Sequence, residues 1–209
     1  GVQAREGALA IRKGRGGQDL VALAGVGRQP GQDLAQDRPQ GEHVRAFVES
    51  DKPIVAAVQG AVAGGGLGLM LTADYIVASD RAVFVSKYAN IGLTPDLGAS
   101  TLLPAAIGQR RALQLLLHDT TLDAATALEW GLVAEVVAPD AIAARAEEVA
   151  RSWLDGATAA YGQAKRLVRS QPTRSFADQL DEEARTIGAA FDTPDAQARV
   201  AAFAAASAR

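Results

Sequence analysis

The chain has 209 residues, of which 48% are hydrophobic and 22% charged, with a net charge of −3 and no cysteine. This composition is typical of a globular protein; it excludes a disulfide framework, a thiol nucleophile and a cysteine-rich zinc site, and it offers no basic surface for nucleic acid or a membrane. No apolar run is long enough to span a membrane, and the first residues lack the pattern of a secretory signal, so we expect a cytoplasmic protein.

Residues 1–138 alternate short apolar runs with helical patterns. The runs "ALAI", "DLVALAG", "PIVAAVQGAV", "YIVASD" and "AVFVS" predict strands. Helices are predicted for "LGLMLTAD", for "STLLPAAIGQRRALQLLL" with a break at Gly108, and for "TLDAATALEW". We expect Thr121 or Asp123 to cap this last helix and Gly131 to end it before a further strand. The alternation of strands and helices predicts an α/β fold.

From residue 139 onward, strand patterns give way to amphipathic helices. Ile142, Val149 and Trp153 share one helical face. The apolar face of a later helix comprises Phe176, Leu180, Ile187 and Phe191. These faces must pack on the α/β part or on a second subunit. We therefore predict a core domain at residues 1–138 and a helical region at residues 139–209.

The two histidines, His43 and His118, are isolated in the sequence. Neither has a second histidine or a cysteine at the spacing of a metal site. His118 follows the run "ALQLLL", where the C terminus of a helix would favour a histidine. Both are predicted to be surface or capping residues, and no metal site is expected.

Three consecutive glycines, Gly64, Gly65 and Gly66, stand between a predicted strand and a predicted helix. The first N–H groups of a helix have no internal partner, so glycines there let an anion or a polarised carbonyl oxygen approach the backbone. The lysine of a phosphate-binding loop is missing, and "GGGLG" is a poor match to a dinucleotide-binding fingerprint. Tight packing of helix on strand is the alternative explanation.

A second glycine-rich turn, "AGVGRQPGQDL" at residues 24–34, also follows an apolar strand. Two strand-end loops with exposed backbone amides indicate a two-donor oxyanion hole. The expected donors are the amide of Gly65 and an amide near Gln32.

Several ordered motifs resemble the crotonase (enoyl-CoA hydratase/isomerase) superfamily. They are "DKPIVAAVQGAVAGGGLGL", "ADYIVASDRAVF", "IGLTPDLGASTLLPAAIGQRRALQLLL", "ALEWGLVAEVV" and the loop "GRQPGQDL". The resemblance implies a spiral of ββα units, a C-terminal helical trimerisation region and an acyl-CoA thioester substrate. It implies a homotrimer or hexamer, and no cofactor apart from the CoA of the substrate.

The resemblance also assigns residues to the site. The oxyanion hole is implied to use the amides of Gly65 and Gln32, the residue after Gly31. The substrate-binding residues implied beside these donors are Gly31, Asp33, Leu34, Gly64, Gly66, Val85 and Tyr88. Among them, Val85 and Tyr88 are expected to line the acyl pocket, although Tyr88 could equally be a packing residue.

The sequence departs from the family in two respects. Its N-terminal part is shorter, and "RKGRGG" stands where a helix is expected before "DLVALAG". In addition, the two glutamates of the family's hydratases are matched by Gly68 and Tyr88. Hydration needs one group to deprotonate water and another to protonate the α-carbon, and neither residue does so readily. Hydration is therefore disfavoured.

One carboxylate remains in "IGLTPDLGAS", that of Asp96. Its position after Pro95 is typical of a turn or helix-cap aspartate. The family resemblance implies a chemical role instead. Isomerases of the ring-epoxide and Δ3,Δ2-enoyl-CoA type share "GLxPDxG" and use this aspartate as a proton shuttle.

The 4-chlorobenzoyl-CoA dehalogenases also have this aspartate, as a nucleophile. They pair a tryptophan, at the place of Tyr88, with a histidine on the helix before the Lys-Pro strand. His43 lies on that helix but about two residues out of that register. We therefore favour an isomerase over a dehalogenase, with Asp96 as the base. A catalytically inactive acyl-CoA-binding relative is a further alternative.

Overall fold

The computed structural model describes residues 21–24 and 37–207. In chain order, the strands of this part are β1 (Val21–Ala24), β2 (Ile54–Val58), β3 (Ala61–Ala63), β4 (Tyr75–Ser79), β5 (Val83–Val85), β6 (Thr121–Asp123) and β7 (Glu135–Val137). One sheet has the order β1-β2-β4-β7 with all neighbours parallel. The other has the order β3-β5-β6, in which β3 and β5 are parallel and β5 and β6 antiparallel.

The helices in the described residues alternate with these strands and then follow them. They are α1 (Asp37–Glu49), α2 (Gly65–Met70), α3 (Ala99–Leu117), α4 (Ala124–Trp130), α5 (Ile142–Asp155), α6 (Thr158–Ser170), α7 (Phe176–Phe191) and α8 (Pro194–Ser207). The predicted α/β fold is confirmed. Of the predicted strands, "ALAI" lies outside the described residues.

The run predicted as one strand, "PIVAAVQGAV", forms two strands in different sheets. The chain turns at the exposed residues Gln59 and Gly60, so that β2 pairs with β4 while β3 pairs with β5. Every residue of β2 is buried, whereas β3 buries only Val62. The prediction of a single strand was wrong because the turn takes only two residues between two apolar runs.

Glycine and aspartate set the helix boundaries as the sequence predicted. Gly108 has non-helical backbone angles (φ 78°, ψ 155°) and interrupts α3. The Asp123 side chain accepts a hydrogen bond from the Thr126 amide at 2.8 Å and so caps α4. Gly131, with a left-handed φ of 78°, ends that helix.

The hydrophobic core holds the elements that present the site. Ile54 of β2, Leu67 of α2, Phe84 of β5 and Leu103 of α3 are fully buried and belong to one apolar cluster. Helix α2 is short and half glycine, and Leu67 anchors it in this cluster. The position of the glycine-rich turn is thus fixed by packing.

The described chain divides into two compact units. One comprises the described residues up to Val48 together with Ile54–Arg151, and the other comprises Glu49–Pro53 and the residues from Ser152 onward. Most of α5 therefore lies in the first unit, although the sequence assigned it to the helical region. No strand follows β7 in the part of the chain that the structure describes. None of the described helices combines the length and apolarity that a membrane span requires.

Candidate active site

The first glycine of the triplet connects β3 to the segment that follows β5. Gly64 has φ 53° and ψ −127°, a backbone conformation that is open essentially to glycine alone. Its N–H donates a hydrogen bond to the carbonyl oxygen of Ser86 at 3.0 Å. The Gly64 amide is therefore occupied by the protein itself and holds the turn in place.

Gly65 is the buried first residue of α2, where the backbone N–H has no intrahelical acceptor. Asp96 lies directly beside it. A methyl group added at Gly65 would be 3.1 Å from Asp96 Oδ1 and 2.9 Å from Leu97 Cδ1. The absence of a side chain thus leaves the carboxylate next to the positive end of a helix, where a negative charge is favoured.

Asp96 lies in a tightly bent segment before α3. Leu97 has φ 48° and Gly98 has φ 81°, so two successive residues are left-handed. Gly98, not Asp96, occupies the N-cap position of α3. The half-buried Asp96 carboxylate accepts a hydrogen bond at Oδ1 from the Tyr88 hydroxyl, with an O–O distance of 2.5 Å.

Gly68 packs against the same bend. A methyl group added at Gly68 would lie 2.4 Å from the carbonyl oxygen of Leu97 and 2.8 Å from its carbonyl carbon. Since real Cβ contacts this short do not occur, the position has no room for any side chain. Gly65 and Gly68 are three residues apart on one face of α2, and together they form a bare surface on which the backbone after Asp96 rests.

Four of the residues predicted for the site are brought together, namely Gly64, Gly65, Tyr88 and Asp96. Gly66 is buried in the first turn of α2. The predictions for Gly31, Gln32, Asp33 and Leu34 lie outside the described residues. They remain predictions, and so does the assignment of each role.

Val85 lines a different feature, a cleft of about 230 Å³. The lining residues are Val85, Ser86, Lys87, Ala89, Asn90, Leu115, Leu116, Leu117, His118 and Asp119. Lys87 forms an ion pair with Asp119 there, and its hydrogen bond lowers the pKa of the Asp119 carboxyl below the usual value. Tyr88 is not part of this lining, so the acyl pocket expected from Val85 and Tyr88 stays a prediction.

The two histidines have the places that the sequence suggested. His118 is the exposed C-cap residue of α3, and His43 is exposed on α1. Within residues 37–207, no group of three or more side chains is arranged to hold a metal ion.

Sequence reasoning missed the part played by Leu97 and Ser86. The carbonyl of Ser86 anchors Gly64, and the backbone of Leu97 fills the space that glycine leaves on α2. The spacing of Gly65 and Gly68 was a usable signal, because two glycines three apart on a helix permit close approach of another backbone. The left-handed Leu97 gave no signal, since leucine rarely adopts that conformation.

Comparison with known proteins identifies the family. A family model described as Enoyl-CoA hydratase/isomerase matches residues 16–207. The chain therefore belongs to the enoyl-CoA hydratase/isomerase family of the crotonase superfamily, as the sequence motifs indicated.

Relatives named for different activities are similar to this chain to nearly the same degree. The chain is 35% identical to 1,2-epoxyphenylacetyl-CoA isomerase of Escherichia coli (strain K12), over 81% of this chain and 67% of that protein. It is 34% identical to 4-chlorobenzoyl coenzyme A dehalogenase-1 of an Arthrobacter species, over 77% of this chain and 58% of that protein. It is also 32% identical to a probable enoyl-CoA hydratase of Rhodobacter capsulatus, over 93% of this chain and 81% of that protein.

Solved structures agree with the fold. The enoyl-CoA hydratase/isomerase from Cupriavidus metallidurans CH34 superposes with a TM-score of 0.77 at 36% identity, covering 84% of this chain and 67% of that one. The crotonase-like α/β fold predicted from the sequence is thereby confirmed.

The close packing at Gly68 predicts a severe effect of the smallest side chain. We expect Gly68→Ala to lower the free energy of unfolding by about 1–3 kcal/mol or more, because the methyl group would displace the Leu97 backbone. The matched control is Gly188→Ala in α7, where a Cβ would meet nothing within 4 Å. That change should raise stability by roughly 0.5–1 kcal/mol, as for other helical glycines. Urea unfolding followed by circular dichroism measures both; equal effects of the two changes would contradict the packing at Gly68.

Proposed function

We propose that the protein shifts a double bond in an enoyl-CoA thioester, with Asp96 as the group that moves the proton. The observation that carries this proposal is the position of the Asp96 carboxylate beside Gly65, the first residue of α2. A base and a backbone donor are then neighbours, as enolate chemistry requires. The similarity to 1,2-epoxyphenylacetyl-CoA isomerase is compatible with this reaction but does not select it, because a dehalogenase and a probable hydratase are similar to the same degree.

The mechanism needs no other reacting group. The thioester oxygen accepts hydrogen bonds from the amides of Gly65 and Gln32, which makes the carbon-bound proton next to the conjugated system more acidic. The Asp96 carboxylate removes that proton, and the electron pair of the C–H bond moves into an enolate whose charge rests on the thioester oxygen. The protonated Asp96 then returns the proton at the other end of the allylic system. Substrate and product are isomers, so no water or cofactor is consumed.

Two contacts argue against hydration. The position matched to the first hydratase glutamate is Gly68, which has no room for a side chain beside Leu97. The position matched to the second is Tyr88, whose hydroxyl donates to Asp96. Among the described residues, a water molecule beside Gly65 would meet the Asp96 carboxylate alone, whereas hydration calls for two acid-base groups.

Dehalogenation is the second candidate, because the similarity to 4-chlorobenzoyl coenzyme A dehalogenase-1 is of the same order. In that reaction Asp96 would attack the aryl ring as a nucleophile. His43, the histidine that would assist, is exposed on α1 and about two residues out of the register of the dehalogenase histidine. This favours the isomerase.

The central variant is Asp96→Asn. It keeps the size of the side chain and much of its hydrogen bonding but removes the base, so isomerisation of a 3-enoyl-CoA should fall by roughly 10²–10⁴-fold. Binding of the CoA ester should change little. If Asp96 only stabilises the turn, the variant should keep wild-type turnover, since Asn replaces Asp well in such positions. A dehalogenase would instead release halide from an aryl-CoA and form an ester on Asp96 detectable by mass spectrometry.

The oxyanion hole is tested by a pair of variants at Gly65. Proline removes the N–H, whereas alanine retains it, and both add a Cβ next to Asp96 and Leu97. We expect the turnover rate of Gly65→Pro to be roughly 10²–10³-fold lower than that of Gly65→Ala. Circular dichroism confirms that both variants are folded. Equal turnover in the two variants would contradict a role for the Gly65 amide.

We further propose that the protein acts in the cytoplasm as a homotrimer or hexamer. Large apolar side chains are exposed on the last helices, among them Phe176 (79%), Ile187 (71%) and Phe203 (75%). Light scattering after size exclusion should give a trimeric or hexameric mass at micromolar concentration. Ile187→Lys should reduce that mass, and the control Ala189→Lys, also exposed on α7, should not. A monomeric wild-type mass would contradict the proposal.

A further inference from the structure

We infer that Tyr88 is a positioning residue for Asp96, whose hydroxyl fixes the carboxylate in the orientation needed for proton transfer. The inference rests on the proposed role of Asp96 as proton shuttle. It assigns Tyr88 a function different from lining an acyl pocket.

Tyr88 is itself held rigidly. Its side chain is only 5% exposed, and its ring lies close to the first glycine of the triplet, where a Gly64 methyl group would be 3.9 Å from Cε1. Its backbone carbonyl accepts hydrogen bonds from the amides of Ile91 at 3.2 Å and Leu93 at 3.0 Å. Contacts other than the one to Asp96 therefore hold both the ring and the main chain of Tyr88 in place.

The Asp96 side chain needs such a partner. It is half-buried on a bend rather than on a helix or strand, and it has two side-chain torsions. A shuttle must present its carboxylate to two carbon atoms of one substrate in turn, so rotation of the carboxylate would lower the fraction of productive encounters. The 2.5 Å hydrogen bond from Tyr88 to Oδ1 restrains that rotation, and hydrogen bonds to a charged group are stronger than neutral ones.

Packing alone does not account for this tyrosine. A phenylalanine would fill the same buried space, and only the hydroxyl makes the contact with Asp96. If Tyr88 only packs, removing its hydroxyl oxygen should leave catalysis unchanged; if Tyr88 positions Asp96, the same change should slow catalysis.

Tyr88→Phe should lower kcat for double-bond migration by about 10- to 100-fold, the value of a hydrogen bond to a charged group, while KM stays near that of the wild type. Tyr75→Phe is the matched control. The Tyr75 hydroxyl also donates to a carboxylate, Glu135 Oε2 at 3.2 Å, but it does so between β4 and β7. This control should retain wild-type kcat. A Tyr88→Phe variant with wild-type kcat, or a Tyr75→Phe variant with the same loss, would overturn the inference.

A double-mutant cycle separates positioning from a general loss of packing. In the Asp96→Asn background, Tyr88→Phe should have almost no further effect on the residual rate, because the group that it positions has already lost its function. An unchanged 10- to 100-fold loss in that background would overturn the inference.

The contact can also be observed without turnover. The Tyr88 hydroxyl proton should give a far-downfield proton NMR signal that is present in wild type and Tyr75→Phe and absent from Tyr88→Phe and Asp96→Asn. Absence of the signal from the wild-type protein would overturn the inference. Failure of the proposed function would be seen differently, as a wild-type protein that moves no double bond.

Discussion

The close approach of two stretches of backbone is the constraint on which the rest of the site depends. The bend after Asp96 rests on the bare face of α2, with the Leu97 carbonyl where a side chain of Gly68 would otherwise be. That contact requires glycine on α2 and left-handed residues in the bend, and both are present. It brings the Asp96 carboxylate beside Gly65, and with it the Tyr88 hydroxyl. One packing arrangement thus brings Gly65, Tyr88 and Asp96 together.

The same arrangement limits the chemistry. Gly68 has no room for a side chain, and the Tyr88 hydroxyl donates its hydrogen bond to Asp96. The described residues therefore offer one carboxylate, that of Asp96, beside the N terminus of α2. One base can take a proton from carbon and return it to another carbon of the same enolate, but adding water calls for a second group. Relatives named as isomerase, dehalogenase and hydratase match at 32–35% identity, so overall similarity does not distinguish the three reactions, whereas the side chains beside Gly65 favour isomerisation.

Local signals in the sequence predicted most of the fold. Apolar runs marked most of the strands, although Thr121–Asp123, predicted as the start of a helix, forms β6. Gly108, Asp123 and Gly131 marked helix boundaries, because each acts through its own backbone or side chain. The break between β2 and β3 was not predictable, since the choice of sheet depends on partners distant in sequence. In the site, glycine spacing pointed to Gly65 and the motif to Asp96. The contact of Tyr88 with Asp96 depends on a tertiary arrangement that no local pattern encodes.

Oxygen isotope labelling tests the central claim most directly, namely that Asp96 moves a proton within an enolate and adds no water. The wild-type protein is incubated with a 3-enoyl-CoA in ¹⁸O-enriched water, and the thioester products are analysed by mass spectrometry. We expect a conjugated 2-enoyl-CoA of unchanged mass, with no oxygen taken from the solvent. Accumulation of a hydroxyacyl-CoA carrying ¹⁸O would contradict it.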